Sequence, residues 1–170
     1  DNQATLLRVI KAAKAQLQPV LIPAGVWAYS DVLTLDGVQM MGEAGAVLFS
    51  LNPARAAVTL KGQGAELRGI RFSGAKPAAR SPSDVTVRVL VADAARFLVA
   101  GITVDSGAGA AIMVRRSSDG RIAGCTLSGT LADSIHITER SSGVIVSQFC
   151  MIARPASTPR AIDASFDMPF

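Results

Sequence analysis

A sequence motif that occurs three times across residues 88–152 constrains the fold of this chain more than any other feature. Each copy holds a short apolar strand, a polar interval and a second run in which apolar and polar residues alternate. The copies begin at Val89, Ile112 and Ile135. Gly101 and Gly124 occupy equivalent places 23 positions apart, and Gln148 follows Gly124 by 24. Short strands that recur with a period in the low twenties are typical of a stacked β-solenoid.

Composition supports one well-buried domain over residues 1–170. Hydrophobic residues make up 49% of the chain and charged residues 18%, which is the opposite of the balance found in disordered proteins. No apolar run approaches the ~20 residues of a membrane helix, so we expect no membrane span. The net charge of +4 is spread along the chain and aromatics are only 5%, so a nucleic-acid partner is not expected. A mildly basic surface suits an acidic polysaccharide, although solubility explains it equally well.

Residues 1–18 have a different pattern from the rest and predict a helix over residues 3–17. Its apolar positions fall on one helical face and are Leu6, Ile10, Ala13 and Leu17. Asp1 and Asn2 are suitable N-cap residues, and Pro19 ends the pattern. The first coil of a solenoid has an open core and unpaired strand edges. We therefore interpret this helix as a cap on coils that occupy residues 19–170.

Two irregularities interrupt the repeat. Gly69 and Gly101 are 32 positions apart, and the excess lies in a segment rich in Ala, Pro and Ser, residues 73–84. This insertion lengthens a corner loop, which is either solvated or part of a binding surface. At the other end, residues 154–160 read as a loop and the last coil is incomplete. We expect either that residues 168–170 fold back over it or that the chain is a fragment of a longer solenoid.

The two cysteines are about one repeat apart. Aligning Gly124 with Gln148 places Cys150 over Thr126, on the face opposite to Cys125, whereas a slip of one residue would stack the two cysteines. Two buried thiols are the favoured interpretation, and a disulfide is the alternative. Equivalent positions in the three copies predict a core ladder of Ile102, Cys125 and Phe149.

Several stretches resemble the pectin-lyase-like superfamily of right-handed parallel β-helix proteins. They are the helix opened by DNQATL, then LIPAGVW, then VLTLDGVQMMGEAG, and the third copy, ADSIHITERSSGVIVSQFCMI, which is similar to a polygalacturonase coil. The resemblance implies an all-β fold, namely a single-stranded right-handed parallel β-helix of about six coils with an N-terminal α-helical cap. It implies a carbohydrate substrate but no single activity, because the superfamily includes lyases, hydrolases, epimerases, tailspikes and adhesins.

The polygalacturonase mechanism is not expected here. The paired aspartates that perform acid and base catalysis in that family would align with residues 157–163, where Thr158, Pro159 and Arg160 cannot supply them. A lyase needs less, namely a base near the C5 proton of a uronate and a group that neutralises its carboxylate, either Ca²⁺ or arginine. If Ile135 and Ile137 point inward, alternation places His136 outside, in a column with Leu90 and Met113.

These considerations predict two sets of site residues. The candidate catalytic residues are Asp133, His136, Arg160 and Asp163, and the candidate substrate-binding residues are Arg115, Arg116 and Arg140. No protein metal site is predicted, and the cofactor is unknown, with Ca²⁺ as the candidate for a lyase. Structural roles compete with each assignment: a solvated histidine, a turn aspartate and an exposed pair of corner arginines.

The sequence therefore favours a carbohydrate-active β-helix protein, with a lyase acting on an acidic, uronate-containing polysaccharide as the leading hypothesis and a glycoside hydrolase as another enzymatic reading. The alternative is a non-catalytic glycan-binding or structural β-helix of the tailspike or adhesin type, which could form a homotrimer. An exported helper in polysaccharide assembly is a third hypothesis. Each predicts a secreted, periplasmic or cell-surface protein.

Overall fold

The computed structural model describes residues 1–147, 151–152 and 162–164, the last two segments by their backbone only. One α-helix, α1 (Gln3–Gln16), precedes the strands. Two short 3-10 helices, Pro53–Arg55 and Asp84–Thr86, lie in corners. The strands, in chain order, are β1 (Val20–Ile22), β2 (Gly25–Tyr29), β3 (Leu33–Asp36), β4 (Gln39–Gly42), β5 (Ala46–Ser50), β6 (Val58–Gln63), β7 (Glu66–Arg68), β8 (Arg71–Gly74), β9 (Val89–Ala95), β10 (Leu98–Ala100), β11 (Thr103–Val104), β12 (Ile112–Arg115), β13 (Arg121–Ala123), β14 (Thr126–Leu127), β15 (Ile135–Thr138), β16 (Ile145–Ser147), β17 (Met151–Ile152) and β18 (Ile162–Ala164).

Every third strand joins the same parallel sheet. Sheet A contains β1, β4, β7, β10, β13 and β16; sheet B contains β2, β5, β8, β11, β14 and β17; sheet C contains β3, β6, β9, β12, β15 and β18. One coil therefore consists of one strand from each sheet, and coils 1 to 6 begin at β1, β4, β7, β10, β13 and β16. The stack makes about five turns and confirms the predicted parallel β-solenoid with an N-terminal helix.

The core lies inside the coils, where side chains of one type stack in register. On sheet C the inward ladder is Leu33, Val58, Val89, Ile112 and Ile135, and each of these side chains is fully buried. Period-2 alternation in the sequence produces this ladder because successive side chains point to opposite faces of a strand. Each buried side chain of this size contributes roughly 1.5–3 kcal/mol from burial. Ile102 and Cys125 are also buried, as predicted, while Phe149 lies outside the described residues.

In coils 3 to 5 the corner between sheets A and B turns at one glycine in the left-handed conformation. Gly101 and Gly124, the markers of the sequence repeat, have φ angles of 60° and 61° there. Side chains rarely adopt this conformation, so glycine at this position keeps the corner short. The repeat in the sequence is therefore the repeat of this turn.

Helix α1 packs against β1 and β3 of the first coil. Leu6, Ile10 and Ala13 are buried as predicted, but Leu17 is 94% exposed. The prediction for Leu17 was wrong because this residue adopts the left-handed conformation at the end of the helix, which turns its side chain away from the core. Among the described residues, no helix combines the length and the apolar character that a membrane crossing requires.

The structure corrects two details of the prediction, one at the helix cap and one in the strand register. Asn2 does not cap the helix through its side chain, because its Oδ1 accepts a hydrogen bond from the Ala28 N–H at 2.9 Å. Thr126 pairs with Met151 rather than with Cys150. Three residues separate β16 from β17, whereas only two separate β13 from β14. Cys125 is buried, and Cys150 lies outside the described residues, so the pairing of the cysteines stays a prediction. The predicted loop over 154–160 and the end at 168–170 also lie outside them.

Candidate functional site

The outer face of sheet C changes character from one coil to the next. Its outward column reads Thr34, Thr59, Leu90, Met113 and His136 from coil 1 to coil 5. Thr34 is exposed, Thr59 and Leu90 are each only 7% exposed, and Met113 and His136 are half-buried. The face is therefore exposed at coil 1, covered at coils 2 and 3 and partly open at coils 4 and 5.

Asp133 and His136 form a pair on the partly open region of this face, at coil 5. Asp133 lies in the corner between sheets B and C, and His136 is the second residue of β15. Oδ2 of Asp133 is 3.2 Å from Nδ1 of His136, and the two side chains are 14% and 22% exposed. The buried Ile135 and a backbone hydrogen bond from Ala111 N–H to the Asp133 carbonyl (3.0 Å) fix both ends of the pair.

This pairing determines what the imidazole can do. A carboxylate at Nδ1 orients the ring and stabilises the imidazolium that forms when Nε2 accepts a proton. Because Asp133 occupies Nδ1, Nε2 is the nitrogen left for a substrate proton. The arrangement is that of a general base with its orienting acid.

Arg115 and Arg116 of coil 4 are held by carboxylates from the coils on either side, coils 3 and 5. Arg115 pairs with Asp84 and places its Nε 3.2 Å from Oε2 of Glu139, without a hydrogen bond at that nitrogen. Arg116 also pairs with Glu139. It donates two hydrogen bonds to Asp93, from Nε to Oδ1 at 2.7 Å and from Nη2 to Oδ2 at 3.0 Å. Two arginines therefore share three carboxylates in one connected network.

The network favours the charged forms of Asp93 and Arg116. Hydrogen bonds from Arg116 hold the pKa of Asp93 below its ordinary value. The same bonds raise the pKa of Arg116, with a smaller contribution from Glu139. Compensation of this kind favours the structural role for the two arginines, since an anionic ligand would have to compete with the carboxylates.

Arg140 differs from the other two arginines. It lies in a bulge at the corner between sheets C and A, where coil 5 has one residue more than coil 4. Both Glu139 and Arg140 are left-handed, with φ angles of 52° and 59°. Arg140 is exposed and lines an open groove of about 620 Å³ with Asp93 and Arg116. Among the described residues its guanidinium has no hydrogen-bond or ion-pair partner.

The predicted site residues thus fall into two places. Asp133 and His136 meet at the beginning of β15, whereas Arg140 lies beyond its end. The backbone of Asp163 in β18 pairs in register with His136, so the two positions are neighbours on sheet C, as expected. Arg160 lies outside the described residues, and its role stays a prediction.

Sequence reasoning missed one buried charge, Arg88. Its side chain is fully buried at the corner between sheets B and C, with Nε bonded to the Ser106 carbonyl and Nη2 to the Ser106 hydroxyl at 3.0 Å. No carboxylate in the described part of the chain pairs with it, and its Nη1 has no hydrogen-bond partner there. Burial raises the pKa of neighbouring Tyr29, an effect that Arg88 partly offsets. One sequence signal could have revealed the burial of Arg88. Its equivalent positions in the adjacent coils are occupied by small apolar residues, Ala57 and Ala111.

The described residues do not fit a Ca²⁺ ion. They contain no group of three or more His, Cys, Asp or Glu side chains arranged around a common point. The nearby carboxylates of Asp84, Asp93 and Glu139 are already bonded to arginines, and that of Asp133 faces His136. Calcium needs six to eight oxygen ligands, which this set does not offer.

Comparisons with known proteins add little to this geometry. No protein-family model matches the chain, and no curated protein matches it in sequence. Its fold is similar to the structure of a proposed glycosyl hydrolase from Parabacteroides merdae ATCC 43184, with 12% identity and a TM-score of 0.44 over 95% of this chain and 87% of that chain. A TM-score this low supports no inference about activity. The chain is a parallel β-solenoid, and its membership of the pectin-lyase-like superfamily stays a prediction.

Proposed function

We propose that this protein is a carbohydrate-active β-solenoid that acts as a lyase on an acidic, uronate-containing polysaccharide. The observation that supports this best is the Asp133–His136 pair, an oriented base on the partly open region of a parallel sheet. A stacked sheet presents a long shallow surface, which suits an extended sugar chain. Such a substrate would place the protein outside the cytoplasm, as a secreted, periplasmic or surface protein.

His136 is the proposed base. Its Nε2 takes the C5 proton of the uronate, the C–H electron pair becomes the C4–C5 double bond, and the C4–O bond to the next sugar breaks. The imidazolium, stabilised by Asp133, then returns the proton to the departing oxygen. The products are an unsaturated uronate end and a new chain end, with no net change in protons.

Arg140 is the proposed partner of a uronate carboxylate. Its charge is exposed and uncompensated among the described residues, and it lies on the strand connection that follows His136. Arginine is well suited to carboxylates because its planar fork donates two parallel hydrogen bonds. Asp163 and Arg160 keep their predicted catalytic roles, and Arg115 and Arg116 would contact substrate only by exchanging a carboxylate partner.

A panel of uronate polysaccharides tests this proposal, with ultraviolet absorbance following the unsaturated product. We expect activity on at least one member, and His136→Gln should lower kcat by roughly 10²- to 10⁴-fold, the usual contribution of a general base. Thr126→Ala is the control, because Thr126 is an outward, exposed residue of the same coil on sheet B. A flat trace for the parent protein on every polymer, with and without added Ca²⁺, would refute the lyase proposal.

One observation favours a second function, that of a non-catalytic glycan-binding module. The arginines nearest to His136 on sheet C are neutralised by Asp84, Asp93 and Glu139, which is expected of a structural surface. Glycan-array binding that Arg140→Gln weakens and His136→Gln leaves unchanged, without turnover, would support this function. A stable trimer in light scattering would favour the tailspike type.

A further inference from the structure

The outer face of sheet C is interrupted by one segment, residues 75–88, which we call the corner strap. It connects β8 to β9 and corresponds to most of the insertion found in the sequence. We infer that the corner strap is a wall across the sugar-binding face, and that it makes the protein act on the end of an acidic glycan chain rather than on its interior. This inference rests on the proposed function and adds the mode of attack.

Burial shows where the strap lies. Leu90 and Ala92 are outward residues of β9, yet they are only 7% and 5% exposed. They form a small apolar cluster with Val87 of the strap and the half-buried Met113 of the next coil. An outward apolar residue on a solenoid is buried only when something covers it, and here the strap is the cover.

Contacts fix the strap to the coils on either side of it, coils 2 and 4. The Ala57 N–H donates to the Val85 carbonyl at 3.0 Å, which links the strap to coil 2. The Ser81 N–H donates to the Ala108 carbonyl at 2.9 Å, which links it to coil 4. Asp84 pairs with Arg115 at the outer end of β12. The strap is therefore a fixed part of the surface.

The strap ends close to the proposed base. Leu90, Met113 and His136 are successive members of one outward column, and adjacent coils are ~4.8 Å apart. The covered residue Leu90 is thus about 10 Å from the position of His136 along the stack. A sugar chain lying over His136 has room for a short stretch in this direction and then meets Val87 and Asp84.

This geometry distinguishes the end of a glycan chain from its interior. A chain bound through its interior would need open surface on both sides of His136, and coils 2 and 3 do not provide it. A chain end fits, because nothing has to continue past the strap. Asp84, Val87 and Arg115 are accordingly assigned as residues that determine specificity, whereas His136 and Asp133 perform the chemistry.

The test compares bond cleavage with viscosity on a long uronate polymer. In the parent protein, unsaturated ends should accumulate while viscosity falls slowly, which is the signature of attack at chain ends. Two variants loosen the wall: Asp84→Asn, which removes the negative charge that pairs with Arg115, and replacement of residues 76–82 by Gly-Ser-Gly combined with Val87→Gly, which removes the side chain that covers Leu90. Each should raise kcat/KM on long chains relative to short oligomers, by roughly tenfold for the replacement, the order of effect that one pocket contact gives.

A matched control and a substrate-free readout accompany this test. Asp31→Asn removes the comparable Asp31–Arg55 ion pair (2.5 Å) at the coil 1 corner and should leave the product pattern unchanged. Cysteine introduced by Leu90→Cys should resist a bulky thiol reagent, and cysteine introduced by Thr34→Cys should react, with peptide mapping separating both from Cys125 and Cys150. In the strap-shortened chain, Leu90→Cys should become reactive.

The possible outcomes separate the two proposals. A rapid early fall in viscosity in the parent protein would overturn attack at chain ends and leave the lyase proposal standing. Reaction of Leu90→Cys as fast as Thr34→Cys would overturn the wall itself. No turnover of any uronate by any variant would overturn the proposed function and, with it, the mode of attack.

Discussion

Coils 3 and 5 place Leu90 and His136 at the same register position of sheet C, and the two residues have opposite surroundings. At coil 3 the corner between sheets B and C is long, and it folds over the face and buries Leu90. At coil 5 the corner is short and delivers Asp133 to the side of His136. The difference shows that strand register decides where a side chain points, while the corner loop decides whether that side chain packs or reacts.

The same contrast holds one residue before each strand. Arg88 occupies this place at coil 3 and Ser134 at coil 5. Arg88 turns into the corner and is fully buried against Ser106 and Tyr29. A Cβ atom on Gly74 would lie 2.8 Å from its Nη2, so the space for the guanidinium depends on small neighbours. Coil 3 is therefore built around a buried charge, whereas coil 5 has the half-buried side chains of Asp133 and His136 on its outer face.

The largest effect is expected from emptying the coil 3 corner. Arg88→Ala should lower the free energy of unfolding by about 3 kcal/mol, because it leaves a void and removes two hydrogen bonds to Ser106. Arg88→Met should stay within about 1 kcal/mol of the parent, since loss of a buried, uncompensated charge offsets the lost bonds. Denaturant unfolding measures both. Equal losses for Ala and Met would show that the charge itself is needed.

A smaller effect should separate the two ends of the outward column. Leu90→Ala should cost about 2 kcal/mol of unfolding free energy, because the strap closes over this side chain. Met113→Ala, one coil further and half-buried, should cost about 1 kcal/mol. Thermal and denaturant unfolding of the two variants provide the comparison. If Met113→Ala were the more damaging, coil 3 would not be the covered region.

The smallest effect concerns the ion-pair network beside the site. The folded-state pKa of Asp93 is lowered, so its stabilising contribution is present above the unfolded-state value near 3.8 and is lost as pH falls through the folded-state value. Asp93→Asn should therefore melt slightly below the parent at neutral pH and low salt, and together with it in strong acid. High salt should also remove the difference, because the pair is exposed. A difference that persists in acid would assign the effect to packing.

Much of the fold could be predicted because it is local in the sequence. The glycine that marks the first two copies, Gly101 and Gly124, is the left-handed turn between sheets A and B, and alternation correctly placed Ile135 inside and His136 outside. The helix cap was also predicted, although one helical face could not reveal that Leu17 leaves the helix in a left-handed turn. The extra residue that pairs Thr126 with Met151 could not be placed from the period alone.

The candidate site was less predictable because its partners come from other coils. Arg116 looked available in the sequence, yet Asp93 and Glu139, each 23 positions away, neutralise it. Arg115 is bound by Asp84, 31 positions away in an insertion whose path the sequence did not define. Asp133 and His136 could be predicted as neighbours because they are three residues apart, with Asp133 just before β15 and His136 within it. The hydrogen bond between the two side chains could not be predicted from the sequence.

If Asp133 and His136 act as one unit at coil 5, a double-mutant cycle on kcat/KM will show it. With any uronate polymer that the parent protein cleaves, Asp133→Asn and His136→Gln should each reduce kcat/KM. Because Asp133 acts only through the imidazole, adding Asp133→Asn to His136→Gln should cause no further loss. Losses that multiply in the double variant would contradict the account, since the two residues would then act independently.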